Sequence, residues 1–117
     1  MDRRTGIAGK NREILLPTLG SPPTVAEIAK LLGTTTRNLH RQLRSENVSF
    51  RELVNELRTH VTVKYLRETS MTNEDIAFAL GFSDAANFRH AFRRWTKRTP
   101  REFSVRKGGG RIAQLAP

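Results

Sequence analysis

Residues 24–33 read TVAEIAKLLG, and residues 72–81 read TNEDIAFALG. The second stretch repeats the first at an offset of 48 residues, and six of the ten positions match in kind. Each copy opens on a threonine that can cap a helix, with an acidic residue three positions later. Each copy closes on a glycine, the residue that accepts the left-handed turn at the end of a helix. One copy alone would be an ordinary amphipathic helix, but two copies in register predict two units of the same structure.

The sequence around the first repeat predicts a helix-turn-helix. Such a unit needs a small residue where its two helices cross, a tight turn, and a second helix with one buried and one exposed side. Ala29 is the small residue, and Gly33 ends the first helix. A second helix, capped by Thr34 or Thr35, is predicted to run to about Ser45.

The exposed side of this second helix is basic. Leu39 and Leu43 lie one turn apart and mark its buried side. Helical periodicity places the basic residues on the other side: Arg37, His40, Arg41 and Arg44. Any one arginine could equally be a solvated surface charge, but their common direction predicts a surface for a polyanion.

The second unit has the same organisation. Ala77 is the small residue, and a helix capped by Asp84 is predicted to run to about Lys97. Its apolar residues, predicted to pack in the core rather than to stack on single-stranded bases, are Phe88, Ala91, Phe92 and Trp95. The residues that point away from this face are Ala86, His90, Arg93 and Lys97, flanked by Asn87, Arg89 and Arg94.

A long helix is predicted between the two units. Ser49 and Glu52 form a capping box, and apolar residues follow at helical spacing. One helix over residues 50–67 would span about 27 Å, which approaches the roughly 34 Å between major-groove faces one turn of DNA apart. The predicted fold is therefore all-α, with two helix-turn-helix units at about 24–45 and 72–97 joined by this linker helix.

The outer boundaries follow from composition. We expect one domain over residues 10–106, with flexible ends at residues 1–9 and 107–117, because both ends are rich in polar residues and glycine. The first helix, at residues 11–19, contains Pro17. Because an interior proline removes a hydrogen-bond donor, this helix is expected to be short or kinked.

Composition narrows the class of function. With 21 Lys and Arg against 11 Asp and Glu, the formal net charge of +10 favours a polyanionic partner such as nucleic acid. The chain contains no cysteine, and its three histidines lie on different predicted helices, so we expect no metal, no cofactor and no catalysis. No stretch approaches the roughly 18 apolar residues of a membrane span, and the N-terminus lacks the apolar run of a secretory signal. We expect a cytoplasmic protein.

The motifs of the second unit resemble those of the AraC/XylS family of bacterial transcription regulators. The specific stretch is IAxxLGFSD at residues 76–84, followed by Phe88, by AFRRW at residues 91–95 and by TPxxF at residues 99–103. The resemblance covers residues 24–103. It implies a two-lobed, all-helical domain that inserts both recognition helices into adjacent major grooves of double-stranded promoter DNA.

The resemblance also implies which residues contact DNA. The candidate base contacts are Arg37, His40 and Arg41 in the first unit, and Ala85, Ala86, Asn87, Arg89 and His90 in the second. The candidate backbone contacts are Thr35, Thr36, Arg44, Arg93, Arg94 and Lys97. Among these candidates, the contact that we expect before any other is a bidentate one of Arg37 or Arg41 with guanine. Such a contact would favour guanine over the wrong base by about 1–3 kcal/mol.

The chain departs from the family pattern at several positions. Lys97 stands where a loop glycine is usual, Ser104 where an arginine is usual, and Thr62 where the linker helix usually has alanine. Ala85 and Ala86 are too small for hydrogen-bonded readout, although they suit thymine methyl groups. We therefore expect the second unit to read sequence weakly and mainly to anchor the DNA backbone.

Several partners and alternatives follow. Family members usually carry an N-terminal sensor or dimerisation domain, for which 117 residues leave no room, so we expect either a fragment of a longer regulator or a short activator. RNA polymerase is the expected protein partner. The alternative function is a protein-interaction module that contacts RNA polymerase and binds DNA only non-specifically, which should expose an apolar patch. RNA and membranes are disfavoured, because no RNA-module motif is present and the large apolar residues are expected in the cores.

Overall fold

The computed structural model describes residues 6–103, and within them it contains helices and no strand. The α-helices are α1 (Ile7–Leu15), α2 (Val25–Leu31), α3 (Thr36–Ser45), α4 (Phe50–Glu68), α5 (Asn73–Ala79) and α6 (Ala85–Thr96). Two 3₁₀ turns span Leu16–Thr18 and Pro100–Phe103. The predicted all-α class is confirmed. Residues 1–5, residues 104–106 at the end of the predicted domain, and the expected C-terminal tail at 107–117 lie outside the described residues.

The first helix starts earlier than predicted, so residues 7–9 of the segment expected to be flexible are helical. The backbone N–H groups of Ile7 and Ala8 donate to the Glu46 carboxylate at 2.9 and 3.1 Å. A carboxylate at this end satisfies donors that have no partner within the helix and suits the positive end of the helix dipole. Because the capping residue is 39 positions from Ile7, the local sequence around α1 gives no sign of it.

The end of α1 agrees with the expectation of a short helix. α1 stops at Leu15, and Pro17 lies in the 3₁₀ turn that follows. The Thr18 hydroxyl donates to the carbonyl oxygens of Ile14 and Leu15 at 3.1 and 3.0 Å. The hydroxyl thus bonds to carbonyl groups at the helix end, next to a residue that has no N–H to donate.

The described chain divides after Leu57 into two compact units. In the first unit α3 contacts both α1 and α2, and the buried apolar residues are Ala8, Leu15, Leu19, Ile28, Ala29, Leu39, Leu43, Leu53 and Leu57. In the second unit α5 contacts α6, and the buried apolar residues are Leu66, Ile76, Ala77, Leu80, Ala85, Phe88, Ala91 and Phe92. Each predicted helix-turn-helix therefore has the buried face that its periodicity indicated.

Aromatic rings fill much of the second core. The ring of Phe92 lies 6.0 Å from Phe88, 6.3 Å from Trp95 and 5.4 Å from Phe103, measured between ring centroids. Phe82 lies 5.9 Å from Phe88. The rings are tilted or edge-on, the arrangements that aromatic pairs prefer. The predicted core role is confirmed for the buried Phe88, Ala91 and Phe92, whereas Trp95 packs against Phe92 and is partly exposed.

The signals that begin and end the repeated helices have the predicted roles. Capping boxes are formed at Thr24 and at Thr72, each with the acidic residue three positions later. Gly33 and Gly81 have φ of 71° and 81°, in the left-handed region. A residue with a side chain would cost about 1–2 kcal/mol in this conformation.

The linker helix also follows the prediction and ends one residue later, at Glu68. The Ser49 N–H donates to the Glu52 carboxylate at 2.8 Å, and the Glu52 N–H donates to the Ser49 hydroxyl at 3.1 Å. This reciprocal pair is the predicted capping box.

The expectation that the large apolar residues lie in cores is wrong for three of them. Phe78 is 87% exposed, Leu31 69% and Leu16 48%. Phe78 follows the buried Ile76 by two positions, which corresponds to about 200° around a helix. Its exposure is therefore a consequence of helical periodicity in α5.

Thr62 in α4 is a buried polar residue without a partner. Its side chain is 0% exposed, and its hydroxyl forms no hydrogen bond within residues 6–103. A buried polar group without a partner costs about 1–3 kcal/mol. This is the position where the family pattern usually has alanine, which has no hydroxyl to satisfy.

Thr62→Val should raise the free energy of unfolding by about 1 kcal/mol, because it keeps the branched shape and removes the unpaired hydroxyl. Urea unfolding followed by circular dichroism measures the change. Thr72→Val is the matched control, since the same replacement at a helix cap should lower the free energy of unfolding by about 1 kcal/mol. Destabilisation by both variants would contradict the cost assigned to the Thr62 hydroxyl.

Glu46→Ala should loosen α1 and lower the free energy of unfolding by about 1–2 kcal/mol, because two backbone donors lose their acceptor. Hydrogen exchange at the amides of α1 reports the change directly. Glu56→Ala is the control: Glu56 pairs with Arg12 at 3.3 Å on the surface, a type of pair worth about 0–1 kcal/mol. Equal loss of protection in both variants would show that capping is not what holds α1.

Candidate nucleic-acid interface

α3 presents the first set of candidate residues. Thr35 caps the helix, with its hydroxyl oxygen accepting from the Asn38 N–H at 3.1 Å. Leu39 and Leu43 are fully buried. The basic candidates on the opposite side are all exposed: Arg37, His40, Arg41 and Arg44. The outward face predicted from periodicity is therefore present.

The turn before α3 is tied to the helix by a second hydroxyl. Thr34 Oγ1 accepts from Asn38 Nδ2 at 2.7 Å. Asn38 Oδ1 in turn accepts from Arg41 Nη2. These side chains line an open depression, together with neighbours at the helix start: Gly33, Thr34, Thr35, Arg37, Asn38 and Arg41. Asn38 was not among the predicted site residues.

A sequence signal for Asn38 does exist. Asn38 follows its N-cap, Thr35, by three positions, and Asn87 follows its N-cap, Asp84, by the same spacing. The offset between the copies grows from 48 to 49 residues at this point, because the second turn is one residue longer. A comparison restricted to the ten-residue repeat misses this correspondence.

α6 presents the second set of candidates. Asp84 caps it as predicted, with Oδ1 accepting from the Asn87 N–H at 2.8 Å. The exposed candidates are Ala86, Asn87, Arg89, His90, Arg93, Arg94 and Lys97. Ala85 is different: it is only 8% exposed, because it lies one turn before the fully buried Phe88 on the core side. We therefore leave Ala85 out of the interface.

The last turns of α6 form an open depression lined by basic side chains, namely His90, Arg93, Arg94 and Lys97. None of these four forms an ion pair with a carboxylate within residues 6–103. A concave basic surface without a bound carboxylate suits an anion, and half or more of the hydrogen bonds in protein–DNA interfaces go to phosphate oxygens and sugars.

Lys97 ends α6 in the left-handed conformation, with φ of 65°. This is the position where the family pattern usually has glycine. Because a left-handed residue with a side chain costs about 1–2 kcal/mol, the lysine is placed here at the expense of stability. Its side chain is exposed beside the other basic side chains that line the depression.

The charge distribution distinguishes the two recognition helices, α3 and α6, from the other helices. Neither contains an acidic residue, and each carries three arginines. No carboxylate within residues 6–103 forms an ion pair with any of these six arginines. A polyanion therefore meets no competing carboxylate of the described residues at these arginines.

Arg58 in α4 is a residue that sequence reasoning missed. It is half-buried, its Nη2 donates to the Leu80 carbonyl oxygen at 3.2 Å, and its guanidinium lies 5.2 Å from the centre of the Phe82 ring. Burial lowers the pKa of the Arg58 guanidinium. Since Leu80 directly follows α5, Arg58 supports the turn that leads to α6. The donor and acceptor are 22 residues apart, so no local pattern indicates the contact.

Two further observations concern the described residues as a whole. No three His, Cys, Asp or Glu side chains between residues 6 and 103 are arranged to hold a metal ion. None of the helices in that part of the chain combines the length and the apolar character needed to cross a membrane.

A family model described as "Helix-turn-helix domain" matches residues 28–106, more than half of the chain. The chain belongs to the AraC-type helix-turn-helix family. The resemblance inferred from the motifs of the second unit is thereby confirmed. Proteins of the AraC-type family are DNA-binding transcription regulators and not enzymes.

Relatives of this AraC-type domain include full-length regulators. The ornithine utilization regulator of Pseudomonas aeruginosa is 33% identical over 103 residues, covering 88% of this chain and 30% of that protein. The solved structure of the transcriptional regulator CdpR, also from Pseudomonas aeruginosa, has a TM-score of 0.74 at 32% identity and covers 84% of this chain and 31% of that chain. The AraC-type domain thus spans about a third of the length of these relatives.

A third comparison concerns the fold alone. The DNA-binding domain of AdpA, solved in complex with a target DNA, has a TM-score of 0.74 at 18% identity, covering 91% of this chain and 96% of that chain. The activity of the AraC-type domain follows from the family membership and from the related regulators. It binds DNA sequence-specifically as the DNA-binding domain of a transcription regulator.

Proposed function

We propose that this AraC-type domain binds double-stranded promoter DNA with α3 and α6 in major grooves, and that α3 is the main reader of sequence. The observation that carries this proposal is the face of α3, which exposes Arg37, Arg41 and Arg44 and contains no acidic residue. An ordinary solvated helix face mixes both signs of charge. An α-helix fits the major groove, where an arginine can donate two hydrogen bonds to one guanine.

Arg41 is the proposed principal base contact, with Arg37 and His40 beside it. Thr35 and Thr36 lie at the start of the same helix, where hydroxyl and backbone N–H groups suit phosphate oxygens. Arg44 lies about one turn beyond Arg41 and is proposed to contact the DNA backbone. Base readout and backbone anchoring are thus combined on one helix.

We propose that α6 mainly contacts the DNA backbone and contributes less than α3 to the recognition of bases. The basic depression formed by Arg93, Arg94 and Lys97, with His90 at its edge, is proposed to hold phosphate. Ala86 exposes only a methyl group, which suits contact with a thymine methyl. Asn87 and Arg89 are the remaining polar candidates for base edges. This division of labour fits the small side chains at the start of α6.

The proposed partners go beyond DNA. Because this chain spans about a third of the relatives described above, we propose that it works with an N-terminal sensor or dimerisation domain. RNA polymerase is the proposed second partner, and the cytoplasm, at the nucleoid when bound, is the proposed location. The 87% exposed Phe78 is an apolar side chain that a protein partner could cover.

Arg41→Ala should lower affinity for the preferred site about tenfold to a hundredfold, because a bidentate contact with guanine is lost. Selection from randomised duplexes, followed by fluorescence anisotropy, measures both preference and affinity. The wild-type domain should enrich one motif, and the variant should lose preference at one position of it.

The control for lost charge is Arg51→Ala, which removes an exposed arginine outside the two recognition helices. It should leave base preference intact. Unchanged preference in Arg41→Ala would refute the assignment of that residue. Failure of the wild-type domain to enrich any motif would favour the interaction module with only non-specific DNA affinity.

Lys97→Gly should change stability and binding in opposite directions. Relief of the left-handed conformation should raise the free energy of unfolding by about 1 kcal/mol. Loss of a phosphate contact should weaken binding to every sequence and reduce the slope of log affinity against log salt concentration by about one unit. Thermal unfolding and anisotropy at several salt concentrations measure the two effects.

Asn47→Gly is the matched control, because Asn47 is also left-handed, with φ of 64°, and lies outside the proposed interface. It should gain less stability, since asparagine tolerates this conformation, and should bind DNA as the wild type does. A loss confined to the preferred sequence in Lys97→Gly would show that Lys97 reads bases.

A further inference from the structure

The Asn38 carboxamide connects the turn of the first unit to the proposed reading arginine. Its Nδ2 donates to Thr34 Oγ1 at 2.7 Å, and its Oδ1 accepts from Arg41 Nη2. The backbone N–H of Asn38 donates to the Thr35 hydroxyl at 3.1 Å. Both ends of the side chain are therefore occupied, and its backbone is fixed at the helix cap.

The orientation of the carboxamide follows from chemistry. A guanidinium has donors and no acceptor, so only the amide oxygen can face Arg41. The amide nitrogen must then face Thr34, whose hydroxyl oxygen accepts. Arg41 thus determines which way Asn38 presents its oxygen, and the bond to Thr34 holds the amide nitrogen in place.

This arrangement limits the freedom of Arg41. An exposed arginine has many rotamers, and each contact that it makes must offset the loss of that freedom. A guanidinium already held by an acceptor loses less entropy when it docks on a base, which is the advantage of preorganisation. The holding group also selects the direction in which the guanidinium points.

The second unit provides an internal comparison. Asn87 Nδ2 donates to Ser83 Oγ at 2.7 Å, and the Asn87 N–H donates to the Asp84 cap at 2.8 Å. The bond between asparagine and hydroxyl is therefore common to both helix starts. The residue three positions after Asn87 is His90, and no side chain within residues 6–103 donates to Asn87 Oδ1. Only the first unit extends the link to an arginine.

We propose that Asn38 is a positioning residue that determines the base preference of Arg41, and that Thr34 holds the Asn38 carboxamide in place. This inference rests on the proposed role of Arg41 as a base contact. Asn38 acts through Arg41, and its own carboxamide does not read a base. The determinant of specificity in the first unit is thus the series Thr34–Asn38–Arg41 and not the arginine alone.

The test uses the complete chain and selection from randomised duplexes. Asn38→Ala should relax preference at the same base position as Arg41→Ala and lower affinity for the preferred site on the order of tenfold. The double variant should bind no more weakly than Arg41→Ala alone. The salt dependence of non-specific binding should be unchanged, because no charge is removed.

Thr34 tests the first link of the series. Thr34→Val removes the acceptor and should relax the same base position in part, whereas Thr34→Ser keeps the hydroxyl and should retain the wild-type preference. Ser49→Ala controls for a general effect at a helix start, because it removes the hydroxyl that accepts from the Glu52 N–H at the start of α4. It should lower the free energy of unfolding about as much as Asn38→Ala, yet leave the Arg41-dependent base preference intact.

The outcomes separate this inference from the proposed function. If Arg41→Ala leaves preference unchanged, the base contact and the inference both fail. If Arg41→Ala relaxes one position while Asn38→Ala relaxes none, the base contact stands and the positioning role is refuted. If Asn38→Ala relaxes a different position, and does so in the Arg41→Ala background as well, Asn38 reads a base directly and the inference is again refuted.

Discussion

Each recognition helix starts where a left-handed glycine stops the helix before it. At Gly33 the chain turns so that the Thr34 N–H donates to the Ala29 carbonyl oxygen at 2.9 Å, and at Gly81 the Phe82 N–H donates to the Ala77 oxygen at the same distance. In each unit, the hydrogen bond that ends the first helix is therefore accepted by the alanine that follows the buried isoleucine. The direction of the second helix, and hence the face that it can turn toward DNA, depends on this turn.

The acidic residues complement that arrangement. Six of them accept hydrogen bonds from backbone N–H groups at helix starts: Glu27, Glu46, Glu52, Asp75, Asp84 and Glu102. A carboxylate in such a position is stabilised by the helix dipole and satisfies donors that would otherwise lack a partner. Within residues 6–103, no carboxylate forms an ion pair with the arginines of α3 and α6. One distribution of charge therefore serves both folding and binding, because the acids that stabilise helices do not neutralise the basic faces.

Much of the fold and of the candidate site could be predicted from the sequence, for a common reason. The caps at Thr24 and Thr72, the glycine turns and the outward direction of Arg37 and Arg41 all depend on residues within four or five positions of each other. The family resemblance placed Ala85 wrongly, since it implied a contact with DNA and the structure buries this residue. Periodicity within α6 puts Ala85 on the core side, because it lies one turn before the buried Phe88.

By itself the sequence determined the two repeated units, the long helix between them and the segregation of basic residues, because these follow from hydrogen bonds and side-chain spacing along a local stretch of chain. Only the tertiary structure decided where α1 begins, which residue supports the turn before α6, and which hydroxyl is buried without a partner. The Glu46 cap joins residues 39 positions apart, and the bond from Arg58 to Leu80 joins residues 22 positions apart. Such contacts arise only when packed helices bring distant segments together, and no pattern along the chain encodes the distance between them.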